Sequence, residues 1–216
     1  ADPDLVARCV EAMGQASALP VTVKHRIGID DLDNDTLLTA FVDRVAEAGA
    51  QRFSVHARKA WLEGLDPKQN RTIAPLQHDR VVALKQRRPE LLIELNGGLE
   101  TPADCLVALD RCDGAMVGRA AYAHPLRWAD MDHLIYGEAP RQLLASDVVE
   151  GLIPHAAQHL HRGGRLWDLC RHLVQLVEGV PGARHWRREL GERSQRKGAD
   201  LKILEEAGRQ LKDAGL

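Results

Sequence analysis

Two glycine-containing turns, each directly after a short apolar run, constrain the possible fold of this chain more than any other feature. An Asn-Gly-Gly turn at 96–98 follows the run 91–95, and a Gly-Arg turn at 118–119 follows the run 114–117. Apolar runs of this length that end at glycine are typical of buried parallel strands entering tight turns. Glycine lets backbone amides approach an anion closely, and arginine adds a rigid charged fork. The two turns therefore predict a phosphate cradle at the ends of consecutive strands.

Strand patterns alternate with helical patterns through the first part of the chain. The four predicted strands are residues 21–24, 52–56, 91–95 and 114–117. This alternation favours a parallel sheet with right-handed crossovers. In a (β/α)8 TIM barrel, a phosphate cradle follows strands seven and eight on the face that holds the active site. We therefore predict an α/β fold in which residues 1–140 form the second half of such a barrel, strands five to eight, with strands one to four upstream.

Residues 141–216 show only helical patterns, interrupted by Gly-Gly at 163–164 and Pro-Gly at 181–182. We predict a small all-α helical domain here. Its charge differs from that of the preceding region. Residues 1–146 carry 17 Lys and Arg against 21 Asp and Glu, whereas residues 155–198 carry 9 against 4. A basic patch beside an acidic body indicates a polyanionic partner for the helical domain.

Cysteine and histidine spacing argues against a disulfide framework and against a metal site. The cysteines are Cys9, Cys105, Cys112 and Cys170, and none forms a Cys-x-x-Cys pair. We expect reduced, buried thiols in a cytoplasmic protein. Histidines 155, 159 and 161 share a predicted helix, but no third ligand follows at a suitable spacing. We therefore predict no metal site, and no apolar segment reaches the length of a membrane span.

Three polar residues lie where the predicted strands end, namely Lys24, His56 and Asn96. Barrel enzymes place functional side chains at the carboxyl ends of strands. Together with a phosphate cradle, these residues suit a flat, phosphorylated, electron-rich cofactor. A lysine near the N1–C2=O edge of a flavin stabilises negative charge as the ring is reduced. Taken singly, a strand-end lysine is also compatible with a solvated charge, and a lone histidine with a hydrogen-bonded core residue.

Specific strings of residues support a family resemblance. They are Lys-His-Arg-Ile-Gly at 24–28, His-Ala-Arg-Lys-Ala-Trp at 56–61, Asn-Arg-Thr-Ile-Ala-Pro at 70–75, Asn-Gly-Gly at 96–98 and Asp-Gly-Ala-Met-Val-Gly-Arg at 113–119. By these strings the chain resembles the bacterial tRNA-dihydrouridine synthase family, most closely its A-type branch. The resemblance continues through residues 179–188 and so covers most of the chain.

The resemblance implies FMN as the cofactor and NADPH as the reductant that recharges it. Lys24 and His56 would contact the isoalloxazine ring and nearby polar atoms. The ribityl phosphate would be held by Asn96, Gly97, Gly98, Gly118 and Arg119. The family reduces the C5–C6 double bond of D-loop uridines in tRNA, and its A-type branch is associated with positions 20 and 20a. The uridine must be flipped out, because C5 and C6 are shielded in the folded loop.

The chain departs from the family pattern at the catalytic proton donor. In the family, a cysteine in a Cys-Pro-Ser loop after the fourth strand protonates C5, whereas this chain contains no Cys-Pro pair. The chain begins at Ala1 without a methionine, and we expect a fragment whose proton-donating cysteine lies upstream of Ala1. We therefore assign no catalytic residue and predict that the isolated chain does not reduce uridine.

The resemblance also implies a tRNA partner, and two basic segments are candidates for the contact. Arg184 and Arg187 share one face of a predicted short helix with Trp186 between them, and Lys68 and Arg71 lie in the long loop after the second strand. Arginine forks bind phosphates, and an aromatic ring can stack on an exposed base. The alternative is a solvated basic face with Trp186 in the core. We predict that the four cations contact tRNA, in a protein that is a monomer at full length.

Two other functions remain open from the sequence. One is a different FMN or sugar-phosphate TIM-barrel enzyme that acts on a small metabolite, although the basic helical region argues against it. The other is a non-catalytic RNA-binding fragment. Tight tRNA binding would exclude the first alternative. A Cys-Pro-Ser loop encoded in frame upstream of Ala1 would exclude the second.

Overall fold

A computed structural model describes residues 2–216. These residues form two compact units, of which the first ends at Val117 and the second begins at Gly118. Among the described residues, no helix combines the length and the apolar character that crossing a membrane requires.

The first unit is built on a parallel sheet of four strands in the order β1-β2-β3-β4. The strands are β1 (Thr22–Arg26), β2 (Arg52–His56), β3 (Leu92–Asn96) and β4 (Gly114–Met116). The helices of this unit are α1 (Pro3–Ala16), α2 (Asp35–Glu47), α3 (His78–Arg87) and α4 (Pro102–Leu109). Strands that follow one another in the chain are neighbours in the sheet, as βαβ crossovers require.

Side-chain caps set the beginnings of two helices in this unit. Asn34 Oδ1 accepts a hydrogen bond from Leu37 N at 2.8 Å at the start of α2. At α4, Thr101 Oγ1 accepts from Asp104 N at 3.2 Å, and the Asp104 carboxylate accepts from Thr101 N at 2.8 Å. These caps provide partners for backbone N–H groups that the first helical turn leaves without any.

The sheet has one apolar and one polar face, because side chains alternate along each strand. The core of the apolar face consists of Phe53, Val55, Ile93 and Leu95, each at most 4% exposed. Helix α3 packs against β3, and α4 packs against β4. Burial of each large apolar side chain contributes roughly 1.5–3 kcal/mol. The opposite face carries the polar residues Lys24, Arg26, Ser54, His56, Glu94 and Asn96.

The fold class predicted from the sequence is wrong. The described residues contain four strands in an open sheet whose edges are β1 and β4, rather than strands five to eight of a TIM barrel. Alternating strand and helix patterns predicted parallel pairing, and all three strand pairs are parallel. They could not predict closure, because closure depends on the number, tilt and shear of strands, which no local pattern encodes.

The second unit contains only helices. They are α5 (Arg119–Ala123), α6 (Met131–Tyr136), α7 (Ala145–His161), α8 (Leu166–Leu173), α9 (Ala183–Ser194) and α10 (Leu201–Asp213), and a 3₁₀ turn spans Pro125–Trp128. Helix α7 packs along α10, and Ser146 N donates to Leu216 O at 3.0 Å. The core of this unit includes Val149, Leu166, Cys170, Leu190 and Leu204.

Candidate functional site

The polar face of the sheet ends in a row of functional side chains. In the strand register, Arg26 pairs with His56, and His56 pairs with Asn96. The preceding row consists of Lys24, Ser54 and Glu94. Neighbouring strands lie about 4.8 Å apart, so His56 and Asn96 are neighbours at the strand ends. Lys24 lies two residues before the end of β1, because β1 continues to Arg26, and not at the strand end as predicted.

Asn96 joins the end of β3 to the next strand and to the loop after β2. Its Nδ2 donates to Met116 O at 2.7 Å, and its carbonyl oxygen accepts from Ala57 N at 2.9 Å. The first bond fixes the Asn96 side chain, and the second fixes its backbone carbonyl immediately before the glycine turn. The sheet therefore determines the direction in which the turn leaves β3.

Gly97 and Gly98 let neighbouring side chains approach the turn more closely than larger residues would. Their φ angles are 106° and 70°, which residues with a side chain rarely adopt. A Cβ on Gly97 would lie 2.9 Å from His56 Cδ2 and Nε2, and a Cβ on Gly98 would collide with Leu76. Gly97 O accepts from His78 Nε2 at 2.7 Å. Gly97 is buried and Gly98 is exposed, and both must lack a Cβ because His56 and Leu76 pack directly against the backbone of the turn.

Lys24 and Arg26 place two positive charges on the polar face of β1. Partial burial and then the charge of Arg26 lower the pKa of Lys24. Burial and then repulsion from Arg58 and Arg71 lower the pKa of Arg26. Arginine nevertheless stays protonated in proteins. Because these cations repel one another, an anion that binds among them is stabilised.

Arg26 also holds the loop between β2 and α3 against the end of β1. Its Nη1 donates to Lys59 O at 2.8 Å and to Asn70 O at 2.9 Å. The Asn70 side chain in turn accepts from Trp61 N at 2.8 Å and donates to Trp61 O at 2.7 Å. Neither Arg26 nor Asn70 was predicted from the sequence to have a role in the site. Their place in the strings at 24–28 and 70–75 was the signal that could have identified them.

The predicted RNA contacts of this loop, Lys68 and Arg71, lie on either side of Asn70 at a 3₁₀ turn over Gln69–Arg71. Both cations are exposed. The Asp66 carboxylate accepts from Lys68 N at 2.7 Å and from Gln69 N at 2.8 Å, which caps the turn. A capped turn therefore carries both cations at the surface.

The second predicted cradle turn begins the second unit. Gly118 is the N-cap residue of α5, and Arg119 is its first residue. Both are exposed. The turn at 96–98 belongs to the first unit, whereas 118–119 belongs to the second. A joint cradle of the two turns stays a prediction.

Comparison with known proteins assigns the chain to a family. The model of the family described as dihydrouridine synthase (Dus) matches residues 1–213. This chain belongs to the dihydrouridine synthase family. The resemblance inferred from the sequence strings is confirmed.

Three curated relatives are each called tRNA-dihydrouridine(20/20a) synthase. The relative from Shewanella oneidensis is 45% identical over 204 residues, which are 94% of this chain and 61% of the relative. The relative from Synechocystis sp. is 46% identical over 216 residues, 100% of this chain and 62% of the relative. The relative from Vibrio cholerae is 42% identical over 207 residues, which are 95% of this chain and 63% of the relative. The chain thus spans about three fifths of the length of these relatives, and their names support the A-type branch.

These dihydrouridine synthase matches run through both units, since they cover 94–100% of the chain. Neither this coverage nor the open sheet of four strands supports the predicted C-terminal fragment with strands five to eight. The family assignment therefore rests on the whole described chain and not on an inferred barrel.

Helix α9 has charged side chains at the surface and an apolar side chain in the core of the second unit. Arg184 and Arg187 are exposed. Trp186 is 7% exposed, lies in the core of the second unit, and donates from Nε1 to Leu173 O at 3.0 Å. Trp186 therefore lies in the core, as the alternative interpretation of the sequence predicted, and it cannot stack on RNA. The two arginines remain candidates for phosphate contacts.

The four cysteines of the described residues are free thiols. Cys105, Cys112 and Cys170 are buried, and Cys9 is exposed. Burial raises the pKa of Cys105 and of Cys112, and it raises the pKa of Cys170 to about 11. Within residues 2–216, no group of three or more His, Cys, Asp or Glu residues could hold a metal ion. The three buried thiols are therefore interpreted as core residues.

Proposed function

We propose that the protein is an oxidoreductase that reduces uridines 20 and 20a in the D loop of tRNA to dihydrouridine. The family match and the names of the relatives support this reaction and this substrate. The observation in the structure that carries the proposal is that His56 and Asn96 lie side by side at the strand ends, next to the glycine turn at 96–98. In this proposal the side chains contact the cofactor ring and the turn contacts its phosphate.

We infer that the cofactor is FMN, because the described residues suit its charge and shape. The turn after β3 contains two glycines, a residue type that lets backbone amides approach a phosphate closely. Lys24 and Arg26 add positive charge on the same face of the sheet. When bound, FMN supplies hydride chemistry, and NADPH recharges it.

Each predicted cofactor residue then has a role that follows from its chemistry. The Lys24 ammonium would stabilise negative charge on the reduced ring. His56 offers a ring nitrogen at the end of β2, and Asn96 orients the turn through its bond to Met116 O. Asn96, Gly97 and Gly98 would hold the ribityl phosphate through backbone groups, and Gly118 and Arg119 remain predicted phosphate contacts.

We propose that Lys68, Arg71, Arg184 and Arg187 contact tRNA phosphates. All four are exposed, and the first two belong to a loop that Arg26 and Asn70 order. Such contacts release condensed counterions, so the affinity falls as salt rises. In this proposal the protein acts in the cytoplasm as a monomer, with a cofactor domain at 1–140 and a helical tRNA-binding domain at 141–216.

No proton donor is assigned within the described residues. Three of the four cysteines are buried, and the exposed Cys9 lies on α1, outside any Cys-Pro-Ser loop. We therefore expect the 216-residue chain alone to leave uridine unreduced. Detectable dihydrouridine formation by this chain would contradict that expectation.

The test is the dihydrouridine content of tRNA from cells in which the encoding gene is deleted. The proposal predicts that mass spectrometry of digested tRNA finds unmodified uridine at positions 20 and 20a, and that the native gene restores dihydrouridine. Unchanged dihydrouridine at both positions would contradict it. If the purified protein still bound tRNA in that case, the non-catalytic RNA-binding alternative would be favoured.

A further inference from the structure

We propose that Trp61 is a stacking platform for a nucleobase of the bound RNA. The proposal rests on the proposed function, because it takes an RNA as the partner. Trp61 is the most exposed of the four tryptophans, with 36% of its surface accessible, and the following Leu62 is 69% exposed. Exposure alone does not distinguish Trp61, since Ile73 of the same loop is 59% exposed; what distinguishes it is an aromatic ring, which can stack on a planar partner, on a backbone that the loop holds in place.

The backbone around Trp61 is fixed on both sides. Asn70 contacts both the N–H and the carbonyl of Trp61, at 2.8 and 2.7 Å. The residue before it, Ala60, accepts through its carbonyl from Asp30 N at 2.8 Å. The residue after it, Leu62, donates through its N–H to Asp30 Oδ1 at 2.9 Å. An aromatic side chain on such a fixed backbone loses little conformational entropy when it binds a partner.

One face of the Trp61 ring already has a partner within the protein. The Lys59 ammonium lies 3.8 Å from the ring centroid. That ammonium is itself held by the Asp33 carboxylate at 3.5 Å and by Asp30 O at 3.2 Å. The cation–π contact orients the indole, and in the proposal a second planar group stacks on the opposite face.

The surroundings of Trp61 determine which planar group this is. Asn70, which holds Trp61, lies between Lys68 and Arg71 at an exposed 3₁₀ turn. An aromatic platform next to cations that track a backbone is the composition of sites for unpaired nucleic acid. Flipping the target uridine out of the D loop also interrupts the stacking of its neighbours. The partner is therefore a base of the RNA close to the target uridine.

The experiment measures the affinity of the 216-residue chain for an unmodified tRNA transcript by fluorescence anisotropy. Trp61→Ala should weaken binding roughly tenfold, because one base-stacking contact is lost. Trp61→Phe, which keeps an aromatic face, should stay within about threefold of the native chain. The matched control is Ile73→Ala, which removes another exposed side chain (59% exposed) from the same loop and should leave affinity unchanged.

Two further readouts separate stacking from charge and from misfolding. The slope of log affinity against log salt should be the same for Trp61→Ala and the native chain, because no phosphate contact is lost. Abasic substitutions along the D loop should reveal one position that weakens binding to the native chain but not to Trp61→Ala. Equal affinity of Trp61→Ala and native chain, or no such abasic position, would overturn the proposal. Absence of tRNA binding by the native chain would overturn the RNA-binding function as well.

Discussion

The His56 ring packs so closely against Gly97 that it leaves no room for a side chain at position 97. The ring atoms Cδ2 and Nε2 are 2.9 Å from where a Cβ on Gly97 would be, and the φ of Gly97 is 106°. Glycine adopts such a positive φ without the steric cost that a Cβ would add. At the scale of single residues, the glycine is therefore needed for the conformation of the turn and for the position of His56.

Gly97→Ala should destabilise the protein by about 1–3 kcal/mol, because alanine is strained at a positive φ and its Cβ displaces His56. Chemical denaturation with a linear extrapolation gives the free energy of unfolding. The control is Gly14→Ala within α1, where a Cβ has no neighbour within 4 Å. That substitution should be neutral or stabilising by up to about 1 kcal/mol. Equal stability of Gly97→Ala and the native chain would contradict the proposed crowding.

His25 makes stability depend on pH through its burial on the apolar face of β1. Its Nδ1 donates to Arg26 O at 2.9 Å, and its ring centroid lies 4.9 Å from that of Phe41. Burial lowers the pKa of His25 to about 4. The unfolded chain, with a histidine pKa of about 6.5, binds a proton that the folded chain excludes. The stability contributed by the neutral ring is therefore complete above pH 6.5 and is lost as the pH falls towards 4.

We expect the native chain to lose roughly 2–3 kcal/mol more stability between pH 7 and pH 4 than His25→Phe, which has no proton to exclude. The free energy of unfolding at both pH values checks this. His155→Phe, at an exposed histidine, is the matched control and should lose as much stability as the native chain. A His25→Phe variant with the full acid sensitivity of the native chain would refute the assignment.

Loop 57–77 is ordered by polar contacts rather than by an apolar core. Arg26 bonds to two of its carbonyls, and Asn70 bonds to Trp61 and to Leu65 O, the latter at 3.3 Å. Hydrogen bonds of this kind each contribute about 0.5–1.5 kcal/mol net. At the scale of elements, Arg26 and Asn70 are therefore among the side chains that order the segment with the proposed RNA contacts, together with Arg58, which donates to Ala74 O.

Asn70→Ala should loosen this loop without unfolding the sheet. Hydrogen–deuterium exchange followed by mass spectrometry should show faster exchange in peptides from 57–77, with little change in β2 and β3, because strand bonds do not involve Asn70. Glu63→Ala, at an exposed position of the same loop, serves as the control. Exchange rates in the Asn70→Ala loop that match those of the control would contradict the role of Asn70.

Helix α9 should contribute to RNA binding through charge alone. Replacing both Arg184 and Arg187 with alanine should weaken tRNA binding. The slope of log affinity against log salt should become shallower by up to about 2, because each lost phosphate contact reduces that slope by about 0.7–0.9. Arg196→Ala, an exposed arginine after the end of α9, tests whether net charge explains the effect. An unchanged slope in the double variant would exclude α9 as a phosphate-binding helix.

At the scale of the whole molecule, local patterns predicted local structure and failed where distant groups meet. The strand ends at His56 and Asn96 follow from apolar runs that stop at polar residues, and the residue strings predicted the family. Barrel closure depends on pairing between sheet edges and was predicted wrongly. Similarly, the sequence left open whether Trp186 stacks on RNA or lies in the core. Only the packing shows that Trp186 is 7% exposed.

The most direct test of the account compares FMN with riboflavin, which lacks the phosphate, as ligands of the purified protein by isothermal titration calorimetry. A phosphate cradle at Gly97 and Gly98 predicts that FMN binds at least about tenfold more tightly, since hydrogen bonds to a charged phosphate are lost with riboflavin. Gly98→Ala should remove most of that difference. Equal affinities for the two flavins, or binding of neither, would contradict the central claim that the strand ends hold a phosphorylated flavin.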